Sequence, residues 1–244
     1  IVALLFFGLI GKLFVSHVGL EAYAQQQWGK KSSVHKMGPV GKKPEFVVLF
    51  VHGFLGFGAF NEYDSWNEFV HKMSPVLDGK SYVVYHPGLR QTKDVQSFAQ
   101  DYDVHQVRFH LNKVVAEVKK NPDESSLGGY SVSGLPIVGI GHSNGASTFL
   151  ALTSRSHDDA KKLAGLMLLS PYADLTEASV FAKLKRWTSS WLVGKSTQLF
   201  FAPQYSPSKR SPLEYVEHGL FPDFLPTLFV NNRNDHVVPF KNRQ

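Results

Sequence analysis

The chain has 244 residues, 43% hydrophobic and 13% aromatic, which is enough to bury the core of one large domain. It has no cysteine, so disulfide bonds are excluded and the thiols give no indication of redox compartment. The formal net charge is +6, but no nucleic-acid recognition motif accompanies it. We therefore expect a solvated basic face, with attraction to a membrane surface as the alternative, and no nucleic-acid partner.

Residues 1–24 are predicted to be a targeting segment, either a signal peptide or a membrane anchor. The first ten residues are almost wholly apolar, and the apolar character resumes after Lys12 and continues to Leu20. Ala22-Tyr23-Ala24 resembles the small-residue site where a signal peptide is cleaved. A buried helix or an extra strand is the third possibility. Residues 25–44 are polar and basic and are predicted to be a linker. A secreted or membrane-anchored protein is the expectation.

The next predicted element is a buried parallel strand. Phe46-Val47-Val48-Leu49-Phe50-Val51 is a continuous apolar, β-rich run, and it leads into the glycine-rich loop from His52 to Gly58. Gly53 gives this loop the freedom to turn a backbone N–H inward, and Phe54 is the natural donor. An ordinary strand-to-loop turn is the alternative. We expect His52 to support the loop rather than to act as a base.

A strand over residues 81–86 and a long helix follow. The helix is indicated by apolar residues spaced so that they share one face: Val104, Val107, Leu111, Val114, Val115 and Val118. Asp101 or Asp103 is predicted to cap its start, and Asn121-Pro122 is expected to stop it.

The most informative motif is Gly141-His142-Ser143-Asn144-Gly145, which has the form G-x-S-x-G. It lies between the apolar run of residues 135–140 and the helix-like run of residues 146–152. A strand, a sharp turn that carries a serine and a helix together place a hydroxyl nucleophile above a sheet. Glycine is expected to be required at Gly141 and Gly145, because a Cβ at either flank of so tight a turn would collide with the neighbouring chain. An ordinary serine in a glycine-rich turn is the alternative.

A strand over residues 165–169 precedes a long interruption of the strand–helix alternation, at residues 171–226. Large apolar residues recur there at helical spacing, at Val180, Leu184, Trp187 and Trp191. The segment is predicted to be a cap whose aromatic side chains hold an acyl chain and exclude water. Core packing of an additional helix is the alternative.

The last predicted strand, residues 227–231, is followed by a polar turn that contains Asp235. Strands that alternate with helices indicate an α/β fold with a mainly parallel sheet covered by helices. Ligands of such sheets bind at the carboxyl ends of the strands. The serine, the glycine-rich loop and Asp235 all follow such ends. A solvated loop acid is the alternative role for Asp235.

Together these motifs resemble the α/β-hydrolase superfamily, of the serine esterase/lipase type, with a general likeness to monoglyceride lipases and serine aminopeptidases. The resemblance covers roughly residues 45 to 240 and implies a hydrolase domain at 45–244 with a cap at 171–226. It implies that Ser143 is the nucleophile, that Asp235 is the acid, and that the amides of Phe54 and Asn144 form the oxyanion hole. The implied reaction is hydrolysis of a carboxylic ester through an acyl-enzyme.

The catalytic histidine of this pattern is not found. The family places it after the acid, and His236 alone of the eleven histidines follows Asp235. We expect His236 to diverge from its neighbour and His142 to point away from the serine hydroxyl. A rearranged triad of Ser143, Asp174 and His218 is conceivable. The preferred interpretation is a fragment that lacks the last strand, the histidine and the final helix, and a full-length pseudoenzyme is the alternative.

Three other functions remain open. The same site could hydrolyse thioesters or peptides or transfer acyl groups, or the fold could be a catalytically silent binding protein. A dinucleotide site at Gly139-Ile140-Gly141 is the third, but the acid expected about 20 residues later at a strand end is missing. We expect a small-molecule or lipid ester as the substrate, with no cofactor and no metal.

Overall fold

The structure is a computed structural model that describes residues 32–52, 77, 79–87, 100–171, 215–216 and 218–230. Its strands are β1 (Ser33–Met37), β2 (Phe46–Val51), β3 (Tyr82–His86), β4 (Ile137–His142), β5 (Gly165–Leu169) and β6 (Thr227–Val230). Its helices are α1 (Gln100–Val118), α2 (Asn144–Arg155) and the short α3 (His157–Ala160).

The six strands form one sheet in the order β1-β3-β2-β4-β5-β6. Only β1 is antiparallel to its neighbour, and every other pair is parallel. The registers align the strand ends: Val51 lies opposite Gly141, and Leu169 lies opposite both His142 and Val230. The carboxyl ends of β2, β4, β5 and β6 therefore share one edge of the sheet. The predicted α/β fold with a mainly parallel sheet is confirmed.

The two faces of the sheet carry separate apolar clusters, because successive side chains of a strand point to opposite sides. On one face, Val47, Leu49 and Val83 pack with the buried stripe of α1 and with Phe149 of α2. On the other, Val48, Phe50, Tyr82, Val84 and Ile140 form a smaller cluster. Strands buried on both faces explain why β2 is a continuous apolar run in the sequence.

Helix α1 uses the predicted stripe but differs from the prediction at its start. Val104, Val107, Leu111 and Val114 are buried, and Val115 and Val118 pack against the same cluster. The helix begins at Gln100, so Asp101 and Asp103 lie within its first turn and the predicted capping role is wrong for both. Its end at Val118 precedes the predicted stop at Asn121-Pro122.

The linker predicted for residues 25–44 is wrong where the structure describes it, because residues 33–37 form β1. An edge strand has a neighbour on one side only, so it needs few apolar residues. Val34 packs against one core cluster and Met37 against the other. The hydroxyl of Ser81 donates to the backbone carbonyls of Met37 and Lys42, at 3.4 and 3.1 Å. These two apolar contacts and the pairing with β3 hold this polar strand in the sheet.

The predicted cap at residues 171–226 lies mostly outside the described residues, including Trp187 and Trp191. Its last part packs on the main core, where Tyr215 and Leu225 are buried. The guanidinium of Arg155, at the end of α2, donates to the Tyr215 hydroxyl. Tyr215 and Leu225 therefore belong to the core of the domain, although both fall within the range predicted to be the cap.

The predicted targeting segment, residues 1–24, also lies outside the described residues. Within the described part of the chain, no helix combines the length and the apolar character needed to cross a bilayer.

Candidate active site

Ser143 has an unusual backbone conformation. It connects the end of β4 to the start of α2 with φ 52° and ψ −115°. This pair of angles is the mirror image of extended backbone, a region that glycine enters freely and other residues enter at a cost of about 1–3 kcal/mol. The surrounding structure must supply that energy, and such strain is concentrated at functional sites.

The two glycines of the motif are required by close packing. A Cβ on Gly141 would lie 2.6 Å from both the Cα and the N of Ala146. A Cβ on Gly145 would lie 2.1 Å from the carbonyl oxygen of Val51 and 2.6 Å from that of His52. All these atoms belong to the backbone and cannot turn aside as a flexible side chain would. Helix α2 thus starts in direct contact with the end of β2.

Backbone hydrogen bonds hold the turn, and the side chain of Ser143 does not cap the helix that follows. The N–H of Ser143 donates to the carbonyl of Leu169 at 2.8 Å, and the carbonyl of Ser143 accepts from the N–H of Ser147 at 3.1 Å. The Ser143 side chain makes no capping hydrogen bond to α2. Asn144 is the first residue of α2, and N–H groups of a first turn have no partner within their own helix. A hydroxyl and a donor amide are therefore adjacent at the positive end of a helix.

The end of β2 lies beside this turn. Val51 pairs with Gly141, so the chain leaves β2 level with the serine. His52 is buried, and its ring lies 5.2 Å from the ring of His86, which ends β3. This packing suits the supporting role predicted for His52. The predicted oxyanion donor Phe54 and the predicted loop glycine Gly53 lie outside the described residues.

On the other side of the turn, β5 and β6 end at the same edge. The N–H of Ser170, the residue after β5, donates to the carbonyl of Val230 at 2.8 Å. Val230 is the last residue of β6, and Asp235 follows it five positions later in the sequence. Asp235 itself lies outside the described residues, so its role as the acid stays a prediction.

Two of the histidines considered for the site, His142 and His218, are described. His142 ends β4 and is exposed, and the direction of its ring relative to Ser143 stays a prediction. His218 is exposed three residues after Tyr215, which binds Arg155 at the far end of α2. A helix of 12 residues is about 18 Å long, so Tyr215 contacts the end of α2 that is remote from Ser143, and the rearranged triad stays a prediction. Asp174 and His236 lie outside the described residues.

His110 is a strongly perturbed ionisable group that lies between the sheet and α1. Burial, and secondarily the charges of Lys113 and His86, lower the pKa of His110 to about 3. Its Nδ1 shares a hydrogen bond with the Tyr85 hydroxyl at 2.7 Å. His110 is therefore neutral at physiological pH, and it contributes to the core rather than to the candidate site.

A buried carboxylate, that of Asp159, joins α1 to α3. Asp159 accepts from Arg108 Nε and from Lys162 Nζ, each at 2.6 Å. Burial alone would raise the pKa of Asp159, but the hydrogen bonds from Lys162 and Arg108 outweigh it and lower the pKa. Elsewhere in the described ranges no three histidine or carboxylate side chains are grouped so that they could hold a metal ion.

Ser170, which follows β5 at the same edge of the sheet, was not among the residues predicted to belong to the site. Ser170 has φ 46°, and besides Ser143 it is the only described residue other than glycine with a positive φ. No sequence signal marks it, because left-handed backbone is usually predicted from glycine or asparagine.

Several solved structures have a similar fold. A soluble variant of monoglyceride lipase from Saccharomyces cerevisiae, in complex with a substrate analog, has a TM-score of 0.45 and 13% identity over 69% of this chain and 49% of that chain. A mutant meta-cleavage product hydrolase has a TM-score of 0.43 and 14% identity over 86% of this chain and 79% of that one. An α/β hydrolase from a Moroccan lagoon-sediment metagenome has a TM-score of 0.44 and 15% identity over 86% of this chain and 76% of that one.

This chain spans about half the length of the yeast lipase. No protein-family model matches it, and no curated protein matches it. Identities of 13–15% with TM-scores of 0.43–0.45 carry no argument about the function of this chain. The sheet order and the serine turn of this chain therefore carry the functional argument.

Proposed function

We propose that this chain, which has the α/β-hydrolase fold, is a serine hydrolase that cleaves carboxylic esters through an acyl-enzyme on Ser143. The observation that carries the proposal is the backbone of Ser143, with φ 52° and ψ −115° between β4 and the first residue of α2. A serine without a function would gain stability by being replaced with glycine at this position. The presence of serine in this strained conformation supports a need for the hydroxyl.

The proposed reaction has two steps. The Ser143 oxygen attacks the ester carbonyl, a base removes its proton, and the alcohol leaves with a proton once the carbon–oxygen bond breaks. Water then attacks the acyl-enzyme, releases the carboxylic acid and returns the proton to Ser143. The base is proposed to be a histidine that Asp235 orients.

Two backbone amides are proposed to stabilise the negative oxygen of the intermediate. The Asn144 amide starts α2, so the positive end of the helix dipole reinforces it. Phe54 follows β2 by three residues, and β2 ends in contact with Gly145. Loss of one such donor typically lowers kcat by about 10²–10³.

A small-molecule or lipid ester is the proposed substrate. The apolar and aromatic residues at 180–191 support a lipid, because they suit an acyl chain. The apolar segment at residues 1–24 supports a secreted or membrane-anchored enzyme that meets its substrate at a membrane surface. Both statements rest on sequence patterns.

A fluorophosphonate probe tests the nucleophile in the complete protein. We expect Ser143→Ala to abolish labelling. Ser154→Ala, near the other end of the same helix, is the matched control and should label like the parent. Equal labelling of Ser143→Ala and the parent would remove Ser143 as the nucleophile. A parent that does not label would indicate a catalytically silent binding protein.

A series of p-nitrophenyl esters with acyl chains of increasing length tests the substrate class. We expect kcat/KM to rise with chain length, since each buried methylene contributes about 0.8 kcal/mol of binding. A flat profile would count against a lipid substrate. Labelled enzyme that hydrolyses thioesters or peptides but not esters would indicate the alternative acyl chemistry.

A further inference from the structure

Ser170 is strained in two independent ways. Its φ of 46° lies in the left-handed region, which costs an ordinary residue about 1–2 kcal/mol. It also precedes Pro171, and a proline pushes the residue before it toward extended backbone with negative φ. The fold therefore holds Ser170 against both its own preference and that of its neighbour.

This strained residue directly adjoins the nucleophile. His142 and Leu169 are the last register partners of β4 and β5, so Ser143 and Ser170 leave the sheet side by side. They are the two described residues other than glycine with positive φ. Strain of this kind persists only where the surroundings determine it, and it clusters at functional sites.

The peptide unit between Leu169 and Ser170 connects three strand ends. Its carbonyl accepts from the N–H of Ser143 at 2.8 Å, and its N–H donates to the carbonyl of Val230 at 2.8 Å. One rigid peptide plane therefore fixes the amide of the proposed nucleophile and also the last residue of β6. A rotation about the backbone of Ser170 would change both bonds together.

We propose that Ser170 is a positioning residue: its left-handed backbone orients the 169–170 peptide so that the Ser143 turn is held in its reactive conformation. The kinetic part of this inference rests on the proposed function. The structural part does not, because it concerns the hydrogen bond of the Ser143 amide.

Substitutions that differ in their tolerance of positive φ provide the kinetic test. Valine is β-branched and resists positive φ, whereas asparagine accepts it. We expect Ser170→Val to lower kcat by roughly tenfold to hundredfold with KM within about twofold, because small misplacements of reacting groups cost that much. Ser170→Asn should retain kcat within about threefold. If Ser170→Val does not fold, Ser170→Thr replaces it, since threonine is also β-branched and keeps the hydroxyl.

Ser126→Val is the matched control, because Ser126 is exposed in the loop between α1 and β4 and its N–H donates to Glu117, near the end of α1. It should leave kcat unchanged. Equal kcat for Ser170→Val and Ser170→Asn would overturn the proposal, either because the backbone is unimportant or because the side chain itself is needed.

Amide hydrogen exchange at Ser143 tests the structural part without any substrate. We expect exchange roughly fivefold or more faster in Ser170→Val and nearly unchanged in Ser170→Asn, as for the loss of one net hydrogen bond. Unchanged exchange in Ser170→Val would overturn the positioning role even if the protein is a hydrolase. Faster exchange in a protein that the fluorophosphonate does not label would keep the positioning role and reject the proposed function.

Discussion

Replacing Ser143 should abolish activity and, for one substitution only, increase stability. Its φ of 52° and ψ of −115° suit glycine, and the cost to serine is about 1–3 kcal/mol. Relief of this strain would be partly offset, because glycine loses more conformational entropy on folding than serine, at a cost of about 0.5–1 kcal/mol. The serine side chain makes no capping hydrogen bond that would be lost. We therefore expect Ser143→Gly to raise the free energy of unfolding by about 1 kcal/mol.

Ser143→Ala is the comparison that isolates the backbone, because alanine keeps the Cβ and therefore the strain. We expect it to change the free energy of unfolding by less than about 0.5 kcal/mol. Equilibrium urea unfolding measures both variants. With a slope of about 2–3 kcal/mol per molar, the midpoint of Ser143→Gly should rise by roughly 0.3–0.5 M. If Ser143→Gly is no more stable than Ser143→Ala, the strain argument fails, and with it the main support for Ser143 as the nucleophile.

Three further variants test the packing and the buried charges. Gly145→Ala should lower the thermal midpoint sharply or prevent folding, because its Cβ would lie 2.1 Å from the Val51 oxygen; a normal midpoint would disprove the close contact. Asp159→Asn should lower the free energy of unfolding in urea by about 1–3 kcal/mol. The side chain of Asp158 is 90% exposed, so Asp158→Asn should lower it by less than about 0.5 kcal/mol. Equal losses would contradict the buried ion pairs. Because burial lowers the pKa of His110 to about 3, its stabilising effect is complete above pH 6.5 and is lost as the pH falls toward 3. The free energy of unfolding of His110→Gln should therefore fall less steeply than that of the parent as the pH is lowered from 6 to 4. The two slopes should differ by about 1.4 kcal/mol per pH unit. Equal slopes would show that His110 is protonated in the fold.

The strand predictions that succeeded rest on burial of both faces. Strands β2 and β5 have the predicted bounds, because a strand covered on both sides is a continuous apolar run. Strand β4 starts at Ile137 rather than at Leu135, and the carbonyl of Pro136 accepts from Val47 just before it. Strand β1 was missed because only Val34 and Met37 of its five residues are apolar, which is too few to give a strand pattern.

The details of the candidate site were less predictable. Close packing at Gly141 and Gly145 was predicted correctly, since only glycine fits such a turn. Ser170 was not, because its partners Val230 and Ser143 are distant in sequence and no glycine or asparagine marks its positive φ. The burial of Gln106 and His110 on α1 was also missed, because polar residues on a helix are expected to be exposed.

Both ends of the segment between β5 and β6 are anchored on the domain body, independently of what lies between them. It leaves at Ser170, which is bonded to Val230, and it returns at Tyr215, which is buried and bonded to Arg155. A replacement of residues 172–214 therefore begins and ends on fixed points. Under the proposed function, exchanging residues 172–214 would therefore alter the choice of ester while the contacts of Ser170 and Tyr215 stay unchanged.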